Sequence, residues 1–227
     1  MKIIGMSARW LFVVCFLLLL VTTNIRWAAH EIKLYEYGFN KYGVSDVTGI
    51  GQAELKTAAT RLIDYFNSKV ETPQMKVIRD GSEFDLFNER ELVHLEDVKA
   101  LIQLDYRVQI GSLILVIVCS LVLLFWRKYG LWRALASQIA WGSIVGVFLI
   151  LALALGAIFG FERLFLQFHL VSFHNLYWIL DPSQDYLIMM FPGGFFQDAS
   201  LFVCGATIIE ALFLGGISWW ALRSKRG

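Results

Sequence analysis

The sequence predicts an all-α membrane protein: four transmembrane helices with a small extracellular α/β cap. Three observations predict it. Of 227 residues, 57% are hydrophobic and 15% aromatic, and the mean hydropathy is +0.59, too apolar for an ordinary soluble domain. Charge-free runs close to bilayer length recur along the chain. Nearly all of the acidic residues fall into two segments between those runs.

The runs are Trp10–Ile25, Val108–Trp126, Ala134–Phe161 and Ala199–Leu222, the last interrupted only by Glu210. They give a first transmembrane helix within 1–28, an extracellular cap over 29–107, further spans over 108–126 and 134–161, an aromatic-rich extracellular loop over 162–198, and a last span over 199–222. The first run has an alternative. A basic start (Lys2, Arg9) and the small pair Ala28-Ala29 also suit a cleaved leader, whereas the run's length and the lack of a clean cleavage site favour a retained helix.

Lys and Arg placement sets the orientation. With the N-terminus inside, the inner segments carry Lys2, Arg9, Arg127, Lys128, Arg133, Arg223, Lys225 and Arg226 and no acid. The chain is then a multi-pass membrane protein, with both termini cytoplasmic and any active site at the extracellular face. The outer face is acidic, which argues against nucleic acid as a partner. Cys15, Cys119 and Cys204 lie in different spans, at no redox or metal spacing, and read as small packing residues.

Within the cap, Leu55, Ala59, Leu62, Phe66 and Val70 repeat at helical spacing. MKVIRDGSEFDLF alternates about Asp80-Gly81, a hairpin signal with a type I′ turn. FNERELVHLEDVKAL follows, with Asn88 as N-cap and Glu91 at N3, a variant of the capping box, and an apolar stripe through Leu92, Leu95, Val98 and Leu101. The cap therefore reads helix, hairpin, helix.

On that last helix Arg90, Glu91 and Asp97 are three or four residues from His94, on neighbouring positions of one side. A carboxylate beside an imidazole fixes its tautomer and raises its basicity, as a general base requires. The spacing equally suits a solvated charged face with an incidental histidine. The second outer segment, FERLFLQFHLVSFHNLYWILDPSQDYLIMMFPGGFF, is an aromatic belt that also holds His169, His174, Trp178, Asp181 and Asp185 at headgroup level. His169 and His174 are five apart, so on a continuous helix they point to different sides. Glu210, alone inside a span, needs protonation or a Ser, Thr or water partner facing the bundle interior.

No Gly-x-Ser-x-Gly elbow, Walker loop, Rossmann glycine pattern or HExxH motif is present. Histidines and carboxylates without an enzyme nucleophile suit acyl transfer to an amine that the substrate itself carries. A terminal amine titrates at about 7.7–8.0 and is partly neutral near pH 7. Two imidazoles would then suffice for the proton transfers.

FNERELVHLEDVKAL, with FH…F…W..DP..D.LI..FP..FF downstream, resembles the bacterial lipoprotein intramolecular transacylase (Lit) family, as do YEYGFNKYGVSDVTGI and the four-span layout. The resemblance covers nearly the whole chain. It implies an enzyme that moves the sn-2 acyl chain of a diacylglyceryl lipoprotein to the α-amine of the same N-terminal cysteine, giving a lyso-form lipoprotein. It also implies two catalytic histidines where cap and membrane meet, which by motif position are His94 and His169. His174 matches no family histidine. Arg90, Glu91 and Asp97 would orient His94 or bind polar parts of the substrate, and Asp181 and Asp185 would orient His169. Trp178 also falls in the motif. A monomer needing no metal or cofactor is expected, with a diacylated lipoprotein and membrane lipid as partners. Two competing readings are a metal-dependent lipid hydrolase, since His, Asp and Glu are also zinc ligands, and a non-catalytic membrane chaperone or sensor.

Overall fold

The computed structural model describes residues 2–70, 72–79, 81–126 and 131–224. The elements are α1 (Lys2–His30), α2 (Ile32–Lys41), α3 (Val44–Thr48), α4 (Gln52–Asn67), β1 (Lys76–Arg79), β2 (Ser82–Asp85), α5 (Glu89–Trp126), α6 (Leu131–Ser172), α7 (Tyr186–Met190) and α8 (Gly193–Ser224). Four helices, α1, α5, α6 and α8, are long and apolar enough to cross a bilayer, so the expected class of a four-span helical membrane protein with a small two-stranded sheet is borne out. Four basic residues that set the expected orientation (Arg127, Lys128, Lys225 and Arg226) lie outside the described residues.

The chain forms two compact units. The first takes its residues from 1–26, 105–156 and 201–227. Its centre is Phe12 and Phe16, stacked at 6.0 Å, with Cys119, flanked by Val116, Leu135, Ile139 and Leu214. A Cβ on Gly142 would lie 2.9 Å from the Phe16 ring, so glycine lets ring and helix backbone meet. Only 17% of the most apolar window of α5 and of α6 is buried, and 11% of that of α8, so most of their apolar side chains face outward, as lipid-facing helices require. Cys15 and Cys119 are buried and Cys204 half-buried, all free thiols. Glu210 has an amide partner: Asn24 Nδ2 donates to its Oε2 at 2.8 Å.

The second unit comprises 27–104 and 157–200. The stripe of α4 is as its spacing predicts: Leu55, Ala59, Leu62 and Phe66 are all buried. Val70 lies past the helix end and is exposed, because the periodicity outruns Asn67. Two helices, α2 and α3, precede α4 where only an unassigned stretch was read. Gly43 (φ 59°) and Gly49 (φ 69°) bound the short α3 in left-handed backbone that glycine adopts without strain. Tyr35 and Phe39, one turn apart on α2, join the core with Val77, Leu86, Leu95, Met190 and Phe195. Phe195 packs against the α2 backbone at Gly38, where a Cβ would stand 2.3 Å from its ring. The hairpin pairs Arg79 with Ser82 across a two-residue turn, and Gly81 has φ 78°. Asp80, the turn's first central residue, lies outside the described residues. Helix α6 kinks at Gly160 (φ −154°, ψ 35°), at the end of the apolar stretch 134–161 and before the turns that carry His169.

Candidate active site

Helix α5 starts on the reciprocal cap its sequence predicts. Asn88 Oδ1 accepts from Glu91 N at 3.1 Å, and Asn88 N donates to Glu91 Oε2 at 2.7 Å. The other Glu91 oxygen accepts from Leu187 N at 2.6 Å, at the start of α7. Glu91 is only 1% exposed; burial raises its pKa while the two amides oppose the rise. Both oxygens therefore serve backbone amides rather than His94, which corrects the orienting role its spacing suggested.

Asn88 at the cap and Arg90 and Asp97 on α5 hold the segment 175–187. Asn88 Nδ2 donates to Asp185 Oδ1 at 2.7 Å. Arg90 Nη2 donates to the Leu176 carbonyl at 3.0 Å. Asp97 Oδ2 accepts from Asn175 Nδ2 at 2.7 Å, and Asn175 Oδ1 accepts in turn from Tyr177 N. Asp185 is buried and its second oxygen accepts from Asp181 N at 2.6 Å. Asp181 is exposed and closes a turn on Ser183, whose two donors hold its carboxyl below the usual range. Neither aspartate orients His169: both are spent on turn and helix-end amides.

What orients His169 is main chain. Its Nδ1 lies 2.7 Å from the carbonyl of Phe165, one turn earlier on α6. A carbonyl can only accept, so Nδ1 carries the proton and Nε2 the lone pair. The ring centroids of His94 and His169 are 6.1 Å apart at 30°. Phe173 sets its edge on His94 at 5.0 Å and lies 5.4 Å from His169. Phe165 (4.4 Å), Phe168 (5.4 Å) and Trp178 (5.0 Å) complete the wall round His169. The two histidines are 7% and 8% exposed, and His94 Nδ1 is buried with no hydrogen-bond partner. An open polar atom in an apolar pocket is costly unless a ligand engages it.

Both histidines lie outside the apolar stretches 108–126 and 134–161. Burial and the neighbouring His169 lower the His94 pKa to about 4, against a smaller upward pull from Asp97. Burial lowers His169 as well, partly offset by the Phe165 carbonyl. Near pH 7 both rings are neutral, which suits proton acceptance and hydrogen-bond donation at one site. His174 is exposed. Among the described residues no three His, Cys, Asp or Glu side chains gather as a metal site would require. Asn175 and the Phe165 carbonyl escaped the sequence reading; the one available signal was that Phe165 sits one helical turn before His169.

The model of the lipoprotein intramolecular transacylase Lit family matches residues 10–196. The chain belongs to this family. It is accordingly a membrane-integral acyltransferase, a lipoprotein intramolecular transacylase. Its fold is similar to that of the membrane integral Lit from Bacillus cereus, solved in meso, with TM-score 0.82, 18% identity, and 100% of this chain and 99% of that one covered. Two structures of the same enzyme, one with a histidine-to-arginine and one with a histidine-to-alanine mutation, each give TM-score 0.78 at 18% identity. They cover 99% of this chain and 95% and 96% of theirs. No curated protein matches the chain.

Proposed function

We propose that His94 and His169 carry the transfer of the sn-2 acyl chain of a diacylglyceryl-cysteine lipoprotein to the α-amine of the same cysteine. The observation behind this reading is the pair of buried imidazoles, 6.1 Å apart in an aromatic pocket. The neutral amine attacks the ester carbonyl carbon, forming the C–N bond. His169 Nε2, whose lone pair the Phe165 carbonyl keeps free, takes the proton that the nitrogen sheds. His94 donates a hydrogen bond to the carbonyl oxygen as it gains charge. The C–O bond to glycerol then breaks, and the His169 imidazolium returns its proton to the sn-2 oxygen. No water is consumed and the product is an isomer of the substrate. Phe165, Phe168, Phe173 and Trp178 hold the acyl chain and exclude the water that would hydrolyse the ester. Arg90 and Asp97 act through the segment 175–177, keeping the aromatic wall against His94. The site faces the extracellular side of the cytoplasmic membrane.

The test is incubation of the purified protein with a synthetic diacylglyceryl-cysteine lipopeptide, followed by fragmentation in a mass spectrometer. The expected product has unchanged mass with the acyl group on nitrogen. Release of free fatty acid with no N-acyl product would instead indicate a hydrolase.

A further inference from the structure

A second polar site lies in the first unit, apart from the histidines. Glu210 is the only charged residue between Ala199 and Leu222. Asn24, 6% exposed, directs its Nδ2 to Glu210 Oε2 (2.8 Å), Thr207 Oγ1 (3.2 Å) and the Leu20 carbonyl (3.0 Å), and Thr207 is 1% exposed. Beside this carboxylate runs a groove of about 410 Å³ lined by Leu19, Leu20, Thr23, Glu210, Phe213 and Leu214. Its walls are apolar and its only polar groups are Thr23 and Glu210. Thr23 Oγ1 accepts from Gln109 Nε2 at 3.0 Å, and Gln109 Oε1 accepts from Arg26 Nη1 at 2.9 Å. Asn24 and Arg26 are two residues apart on α1, about 3 Å along the axis. The charge-free run of α1 ends at Ile25, between them. Carboxylate and guanidinium thus stand at nearly one level along α1.

We propose that this groove binds an aminophospholipid: its ammonium on Glu210, its phosphate toward Arg26, one acyl chain along Leu19, Leu20, Phe213 and Leu214. A carboxylate on an apolar groove inside a span calls for a cation, and the bilayer supplies one as a primary ammonium. A guanidinium at the same level matches the phosphate of such a headgroup. The lipoprotein substrate also offers an ammonium, but its diacylglyceryl-cysteine carries no phosphate for Arg26. The site is a resident lipid's and serves no step of acyl transfer.

The experiment is native mass spectrometry of the full-length detergent-solubilised protein with equimolar phosphatidylethanolamine and phosphatidylcholine of identical chains. Phosphatidylethanolamine adducts should exceed phosphatidylcholine adducts several-fold. Glu210→Gln keeps an oxygen for Asn24 and should bring that ratio close to one with transacylation unchanged. Leu214→Trp, which fills the groove, should reduce both adducts. Equal adducts on the wild type, a preference that survives Glu210→Gln, or adducts unaffected by Leu214→Trp would each overturn the proposal. So would displacement of bound phosphatidylethanolamine by the lipopeptide, which would give the groove to the substrate.

Discussion

Asn175 donates to Asp97 across 2.7 Å, and this bond, with that of Arg90 to the Leu176 carbonyl, ties the segment carrying Phe173 and Trp178 to the helix carrying His94. Asn175→Ala should lower transacylation about tenfold, or ~1.4 kcal/mol of barrier, with the protein still folded in membranes. Asn175→Asp should lower it further by placing two carboxylates together. Initial rates on the lipopeptide check both. Wild-type rates in both variants would show that the bond does not position the site.

His94→Ala and His169→Ala should each abolish detectable N-acyl product while the protein still extracts and melts as a folded species. The double variant should be no slower than either single one, because groups acting as a unit do not lose activity additively. Full turnover in either single variant would remove that residue from the chemistry.

Acid should act through the histidines. Both folded-state pKa values are lowered, His94 to about 4, so the unfolded chain takes up these protons first as pH falls. Their contribution to stability is complete above the unfolded value of about 6.5 and is lost as pH falls through that window toward about 4. His94→Ala should therefore flatten the fall in Tm between those two pH values. The rise of activity on the alkaline side should follow the substrate amine, near pH 7.7–8.0, and should persist in any partly active variant.

Glu91 bonds two backbone amides, at the start of α5 and at the start of α7. Glu91→Ala strands both and should cost about 1–3 kcal/mol, read as a lowered Tm. Glu91→Gln, which keeps one acceptor, should lose less. Equal losses would mean that the bond glutamine retains contributes nothing.

Gly38→Ala would push a methyl group into the Phe195 ring, where the Cβ position stands 2.3 Å away. Overpacking of this kind costs about 1–3 kcal/mol. The companion change Phe195→Leu should recover part of the loss, which a thermal melt of the double variant can detect.

The four spans, the α4 stripe, the hairpin and the capping box at Asn88 were legible because each is a local pattern whose period or spacing is its own signal. Helices α2 and α3 were not, since Tyr42-Gly43 interrupts the periodicity and the short α3 holds too few turns to show one. Asp181 and Asp185 misled because a carboxylate beside a proline turn looks the same whether it serves an imidazole or the turn's own amides. The approach of His94 to His169 came from resemblance, not from spacing: no periodicity links α5 with the far end of α6. A backbone acceptor such as the Phe165 carbonyl leaves no mark in composition at all.

Because a peptide oxygen, and not an aspartate, fixes where the His169 proton sits, the ring's lone pair is inherited from helical geometry. Side chains around it can change without moving that proton to the other nitrogen. Only damage to that turn of helix would reverse it.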